Sequence, residues 1–160
     1  MRAGAYLRKS GLRKRHYLAT LTIIYLVTFI FILAARGDDL VNDRLVEAII
    51  EVESGGRADA VSSCGAVGLA QITPICLKEV NEAYKTNILL SDLFDPVVNI
   101  YVAKLYLRLL QTRYDCNTIE EILSAYHIGP FALAKINYKW KKSKDATRYV
   151  KKVLKIYHSQ

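Results

Sequence analysis

Residues 42–56 read Asn-Asp-Arg-Leu-Val-Glu-Ala-Ile-Ile-Glu-Val-Glu-Ser-Gly-Gly, an amphipathic run that stops at two glycines. Counting back from Glu53 by helical spacing reaches only aliphatic residues, which are Ile50, Ile49 and Val46. Glu47 and Glu51, one turn apart, share a more solvated face. We therefore predict a helix over residues 43–53 with Glu53 on its apolar face.

The predicted position of Glu53 has a chemical consequence. A carboxylate among aliphatic side chains loses hydration of its charged form, so the pKa of Glu53 should rise. A carboxylic acid that stays protonated near neutral pH can protonate a leaving oxygen, as glycoside cleavage requires. The alternative is that Glu53 turns outward at the helix end and is solvated, and the rest of the chain argues against it.

The N-terminal residues differ from the rest in composition. Six basic residues and no acid precede residue 18, and residues 18–35 form a run without a charge. A run of 18 residues is at the threshold for a membrane-spanning helix. Because positive charge stays on the cytoplasmic side, we predict a cytoplasmic tail (1–17), an inner-membrane single-pass anchor (18–36) and a periplasmic domain (37–160).

A cleavable signal peptide is the alternative to this anchor. The apolar stretch of a signal peptide is usually shorter and ends in small residues at the cleavage site. Leu33-Ala34-Ala35 is a poor site, because the position two before Ala35 is Leu. We therefore favour an uncleaved anchor, and the short linker Gly37-Asp38-Asp39 should keep the domain close to the bilayer.

The net charge of +8 is unevenly distributed along the chain. Residues 37–134 hold seven basic and fourteen acidic groups, whereas residues 135–160 hold nine basic groups and one acid. The N-terminal basic cluster is explained by membrane topology, so nucleic acid is not a predicted partner. The C-terminal cluster is either a solvated helix face or a contact for an anionic polymer or the membrane surface.

The cysteines and histidines do not predict a metal site or a cofactor. Cys64, Cys76 and Cys116 lie in the predicted exported part, where an oxidising compartment permits a disulfide. Three is an odd number, so at least one stays free or pairs between chains, and the pairing is open. No Cys-x-x-Cys or His-x-x-x-His spacing occurs.

Start and stop signals predict an all-α domain. Asp95-Pro96 is a good helix start, Thr118 and Glu121 have capping-box spacing, and Pro74 can open a helix. No convincing strand pair is visible. After the first helix, we expect helices over residues 68–72, 74–84 and 96–110. A further helix should run from Thr118 to the break at Gly129-Pro130 and another over residues 131–138, and Asp145 should cap the last helix.

Four segments carry a family resemblance. They are Glu53-Ser54-Gly55-Gly56, Gly65-Ala66-Val67-Gly68-Leu69-Ala70-Gln71-Ile72-Thr73-Pro74, Ala125-Tyr126-His127-Ile128-Gly129-Pro130 and Tyr149-Val150. In this order and spacing, with Asp95-Pro96 and Asn99 between the second and third, they resemble the catalytic domain of family 1 lytic transglycosylases, the soluble-lytic-transglycosylase type. The resemblance to these relatives of goose-type lysozyme covers residues 40–158 and implies a small lysozyme-like helical domain.

The resemblance also implies an activity and a set of site residues. Such enzymes cut the β-1,4 bond between N-acetylmuramic acid and N-acetylglucosamine in peptidoglycan without water and leave a 1,6-anhydro end. Glu53 matches the single catalytic acid/base. The matched substrate-binding positions are Ser54, Gln71, Tyr126, His127 and Tyr149.

Two positions depart from the family's pattern. The Asn of Ala-Tyr-Asn is His127 here, and His can titrate where Asn cannot. The Met of Gly-Leu-Met-Gln is Ala70, which removes apolar volume beside the groove.

Two other functions compete with this interpretation. A hydrolytic muramidase would need a second carboxylate, for which Asp59 and Asp95 are the candidates. A catalytically idle, membrane-anchored peptidoglycan-binding module is the other, although it would have less reason to retain an acid on an apolar face. The cellular task could be wall turnover, service to an envelope-spanning secretion machine, or phage lysis.

Overall fold

The computed structural model describes residues 40–159, and this part of the chain is helical. Its α-helices are α1 (Asp43–Glu53), α2 (Pro74–Tyr84), α3 (Pro96–Arg113), α4 (Ile119–Ile128), α5 (Pro130–Lys135) and α6 (Lys144–Ser159). Two 3-10 helices, Leu90–Phe94 and Trp140–Lys142, precede α3 and α6. Within residues 40–159, β-structure is limited to the isolated bridges Val61–Val67 and Val67–Ile72. The prediction of an all-α domain is confirmed.

The predicted tail and anchor, residues 1–36, lie outside the described residues. In the part of the chain from Leu40 to Ser159, no helix has the length and apolar character needed to cross a membrane.

Side-chain caps fix the starts of four helices where the sequence predicts them. Asn42 caps α1 and Thr73 caps α2, each side chain accepting a hydrogen bond from a backbone N–H of the first turn. Asp95 accepts from Val97 N at 2.7 Å at the start of α3. Thr118 and Glu121 form the predicted capping box of α4. Each cap stabilises its helix by about 1 kcal/mol.

Four of the predicted helices differ from the structure. Residues 68–72 are not helical, because Gly68 and Gln71 take positive φ and the segment forms a turn closed by the bridge between Val67 and Ile72. Helix α5 ends at Lys135 rather than 138, since Asn137 and Tyr138 are left-handed.

Ser143, not Asp145, caps the last helix. Its hydroxyl accepts from Ala146 N at 3.2 Å, which places Asp145 inside the first turn of α6. The carboxylate of Asp145 is thereby available for a tertiary contact. Helix α3 also runs three residues beyond the predicted Leu110, to Arg113.

The core lies where α6 packs against α1 and α4. Its largest fully buried side chains include Leu45 and Ile49 from α1, Leu123 from α4 and Val150 from α6. Because these faces pack together, the C-terminal end of α1 lies beside α6. Glu53, the last residue of α1, is therefore positioned by the core.

A buried asparagine holds the loop before α2 in place. Asn99 is fully buried in α3, and its Oδ1 accepts from Ala70 N at 2.8 Å. Its Nδ2 donates to Val67 O at 2.9 Å and to Leu93 O at 2.8 Å. A Cβ on Gly68 would collide with this amide and with the Leu93 carbonyl, so only glycine fits there.

Candidate active site

Glu53 and Tyr149 form the centre of the site. Glu53 is half-buried at the end of α1, and the hydroxyl of the buried Tyr149 on α6 donates to its Oε1 at 2.7 Å. Glu47 and Glu51 are both exposed. The predicted division of α1 into an apolar face with Glu53 and a solvated face is thus confirmed.

Burial raises the pKa of Glu53 above its ordinary value of 4.5. Three weaker influences oppose this rise: the hydrogen bond from Tyr149, the charge of a protonated His127 and the charge of Lys152. The pKa of Tyr149 is raised well above 10.0, chiefly by burial and then by the charge of Glu53. Tyr149 therefore stays a phenol that donates, and the raised pKa of Glu53 agrees with the sequence prediction.

His127 joins this pair from the last turn of α4. Its ring stacks on Tyr149, with centroids 4.2 Å apart and planes inclined by 6°. Its Nε2 lies 3.3 Å from Oδ2 of Asp145. The four side chains thus form a connected series from Asp145 through His127 and Tyr149 to Glu53.

These residues line a cavity of about 260 Å³. Its lining is completed by Val52 from α1 and by Arg148 and Lys152 from α6. Asp145, Arg148 and Lys152 were not predicted from the sequence as site residues. Asp145 and Lys152 lie four residues before and three residues after Tyr149, so helical spacing could have placed them beside it, and Arg148 lies one turn before Lys152.

A second cavity of about 330 Å³ shares His127 with the first. Gln71 and Tyr126 line it, together with Thr73, Ile75, Cys76, Glu79, Tyr106 and residues 128–131. The hydroxyl of Tyr126 donates to Ala70 O at 2.6 Å, and its ring meets Tyr106 edge-on. Because His127 lines both cavities, Glu53 and Tyr149 in the first cavity and Gln71 and Tyr126 in the second lie along one continuous surface.

Two predicted binding residues have structural partners. Gln71 Nε2 donates to Ala60 O at 3.1 Å and to Gly68 O at 3.0 Å, which orients its amide at the cavity. Ser54 is only 5% exposed, and its hydroxyl accepts from Arg57 N at 3.1 Å. Ser54 thus closes the turn after α1 and does not line either cavity.

The carboxylates considered for a hydrolase lie elsewhere. Asp95 caps α3 with its side chain. Neither it nor Asp59 lines the cavity that holds Glu53. The second carboxylate in that cavity is Asp145, which was not among the candidates predicted from the sequence.

The three cysteines are free thiols in the structure. Cys64 is exposed, whereas Cys76 and Cys116 are buried. Burial raises the pKa of Cys116 to about 11 and that of Cys76 well above 9.0, so neither is a ready nucleophile. Among residues 40–159, no group of three potential ligands could hold a metal ion.

Curated relatives match part of this chain. It is 38% identical over 78 residues to membrane-bound lytic murein transglycosylase E of Buchnera aphidicola subsp. Baizongia pistaciae, covering 46% of this chain and 36% of that protein. It is 34% identical over 97 residues to the transglycosylase of Enterobacteria phage PRD1, covering 60% of this chain and 32% of the relative. The chain thus spans about a third of the length of these relatives.

Solved structures share the fold. The lytic transglycosylase Slt of Pseudomonas aeruginosa, solved as an inactive mutant, aligns with a TM-score of 0.63 at 24% identity, covering 72% of this chain and 21% of that one. The 70 kDa soluble lytic transglycosylase of Escherichia coli aligns with a TM-score of 0.62, also at 24% identity and with the same coverage of both chains.

The family resemblance is confirmed by a direct match. The profile of the transglycosylase SLT domain covers residues 31–149, which is most of the chain. The helical fold, the order of the motifs and the Glu53–Tyr149 pair all fall within or border on that span. The chain therefore belongs to the transglycosylase SLT domain family.

Proposed function

We propose that this protein is a peptidoglycan lytic transglycosylase. It cleaves the β-1,4 bond between N-acetylmuramic acid and N-acetylglucosamine and leaves a 1,6-anhydromuramic end. The observation that carries the proposal is the half-buried carboxyl of Glu53, with its raised pKa and its hydrogen bond from Tyr149. Family membership and the relatives named as murein transglycosylases support the substrate class.

One carboxyl can perform both proton transfers of this reaction. Protonated Glu53 gives its proton to the glycosidic oxygen as the bond from that oxygen to the anomeric carbon breaks. The resulting carboxylate then takes the proton of the muramyl 6-hydroxyl, whose oxygen bonds to the same anomeric carbon. No water is consumed, and the sugar's 2-acetamido group can assist as an internal nucleophile in place of a second carboxylate.

Tyr149 directs these proton transfers. Its hydroxyl donates to Oε1 of Glu53, so the transferable proton is left to Oε2. The same hydrogen bond stabilises the carboxylate that forms after the first transfer, which lowers the pKa of Glu53 relative to burial alone. The stack with His127 holds the Tyr149 ring in the orientation that this bond requires.

The second cavity is proposed to bind the glycan strand beside the cleaved bond. Gln71, Tyr126 and His127 supply polar groups along it. Tyr106 and Phe131 supply aromatic surface. Its volume of about 330 Å³ is in the range of small-ligand sites. Ser54 contributes indirectly, by fixing the turn that follows Glu53.

A hydrolytic muramidase is the second candidate, because Asp145 shares the cavity with Glu53. Such an enzyme uses two carboxyl groups that flank the bond. Asp145, however, already lies 3.3 Å from His127. This engagement favours the single-acid reaction.

Product analysis distinguishes the two reactions. The full-length protein would be incubated with purified murein sacculi, and the released muropeptides would be identified by mass spectrometry. We expect 1,6-anhydromuramic ends, which are lighter by one water than reducing ends. Reducing-end muramic acid that disappears in Asp145→Asn would establish the hydrolase instead.

We also propose that the chain is held at the inner membrane by residues 18–36, with its catalytic domain in the periplasm. The uncharged run after six basic residues supports this arrangement. The name of the Buchnera relative describes a membrane-bound protein. An anchored domain with a three-residue linker would act on glycan close to the membrane face.

A further inference from the structure

Two cations lie at the mouth of the Glu53 cavity. Arg148 and Lys152, one turn apart on α6, are both exposed and both line that cavity. Within residues 40–159, neither side chain makes a hydrogen bond or an ion pair. The charge of Lys152 nevertheless reaches the Glu53 carboxyl.

The carboxylates of the cavity are already engaged. Asp145 lies 3.3 Å from His127, and Oε1 of Glu53 accepts from Tyr149 at 2.7 Å. The two cations are therefore left to meet a group from outside the protein. The planar fork of an Arg guanidinium matches a carboxylate, and the Lys ammonium adds a point charge beside it.

We propose that Arg148 and Lys152 form a subsite for a carboxylate of the glycan strand, next to the sugar bound at Glu53. This inference rests on the proposed function, because muramic acid brings carboxylates to the cleaved bond. They come either from its stem peptide or, where the peptide is missing, from its lactyl group. The subsite selects anionic strands over neutral ones of the same sugar backbone.

An anionic lipid is a poorer occupant of this subsite. Arg148 and Lys152 line the same cavity as Glu53, so a lipid headgroup bound there would obstruct the acid. Lys151 and Lys155 lie on the same helix and are also exposed, but they do not line the cavity. They provide a control pair with the same loss of charge.

The test compares two double variants of the full-length protein, Arg148→Gln/Lys152→Gln and Lys151→Gln/Lys155→Gln. Glutamine is a good helix former, so both should fold. Three glycan preparations are used: strands with stem peptides, strands stripped of peptides by an amidase, and stem-peptide strands whose carboxylates are converted to methylamides. KM and kcat are measured, and binding is measured by co-sedimentation.

For the two preparations that carry carboxylates, we expect the Arg148→Gln/Lys152→Gln variant to have a KM about tenfold higher and binding about tenfold weaker than the wild type. This is the scale of losing two partly exposed charge contacts. On the methylamide strands this variant should match the wild type, and the Lys151→Gln/Lys155→Gln variant should match the wild type on all three preparations. A loss of binding only on strands with stem peptides identifies the peptide as the source of the carboxylate. A loss only on the stripped strands identifies the lactyl group.

Several results would overturn the subsite. Equal losses of glycan binding in the two double variants, or an equal loss for the Arg148→Gln/Lys152→Gln variant on the methylamide strands, would show a general charge effect. Unchanged glycan binding with a selective loss of binding to phosphatidylglycerol vesicles would assign the two cations to lipid. If the wild type cleaves no strand, the proposed function is wrong, and the co-sedimentation result still decides whether the subsite exists.

Discussion

Among individual residues, the protonation of Glu53 depends on three neighbours as well as on burial. Burial raises its pKa, while Tyr149, His127 and Lys152 lower it. A general acid must be protonated, so activity should fall as pH rises through the pKa of Glu53. Each neighbour removed should move that fall in activity to higher pH.

Tyr149→Phe tests the strongest of the opposing influences. Loss of the hydroxyl removes a hydrogen bond that favours the carboxylate form, so the pKa of Glu53 should rise further and the alkaline fall in kcat/KM should move to higher pH. The rate at the optimum should drop about tenfold, because the carboxyl is less well oriented. An unchanged pH profile, measured from pH 5 to 9, would remove Tyr149 from this role.

His127→Asn tests the departure from the family's pattern. Imidazole can gain a proton between pH 5 and 8, and its positive charge lowers the pKa of Glu53. The groups around it are Asp145, Tyr149, Glu53, Arg148 and Lys152. We expect the Asn variant to lose activity at a higher pH and the wild type to be the more pH-sensitive. Superimposable profiles from pH 5 to 8 would show that His127 is a structural substitute for Asn.

Among the helices and loops, local sequence signals were sufficient to predict where helices start. They were insufficient where a contact with a residue far along the chain decides the conformation. The caps at Thr118 and Asp95 could be predicted because each uses a side chain within three residues of its target. Residues 68–72 resembled a helix in sequence, but Asn99 holds them in another conformation from about thirty positions away. Asp145 has the residue type of a helix cap, but its side chain contacts His127 on another helix, and a local pattern does not predict such a contact.

Gly68→Ala tests the contact that fixes this loop. The new Cβ would collide with Asn99 and with Leu93 O, and φ is +77°. We expect a loss of at least about 2 kcal/mol in the free energy of unfolding. Gly55→Ala is the matched control, because its φ is +62° but its Cβ would meet nothing within 4 Å. Equal changes in urea denaturation for the two variants would show that backbone strain alone is responsible.

At the scale of the whole molecule, the site forms because three helices from separate parts of the chain converge on it. Family motifs in the sequence pointed to Glu53, Tyr149 and His127, and helical periodicity predicted the raised pKa of Glu53. The sequence did not predict that His127 would join two cavities or that α6 would contribute two cations. Those features depend on how α4 and α6 pack, which local patterns do not encode.

The proposed topology is tested on the intact chain in cells. An alkaline phosphatase fused to the C-terminus should be active, because that enzyme works only outside the cytoplasm, and the fusion should sediment with inner membranes. A fusion active only as a cytoplasmic reporter would reverse the topology. A mature protein that starts after Ala35 in the soluble periplasmic fraction would remove the anchor and leave the enzyme assignment unaffected.

Glu53→Gln tests whether the Glu53 carboxyl performs both proton transfers. The amide has nearly the same shape, so the thermal unfolding midpoint should stay close to that of the wild type. The measurement is the rate of release of 1,6-anhydromuropeptides from murein sacculi by the two full-length proteins. We predict a loss of at least ~10³-fold in Glu53→Gln. Retention of more than about a tenth of the wild-type rate, well above the residual expected without a proton donor, would show that Glu53 is not the acid/base.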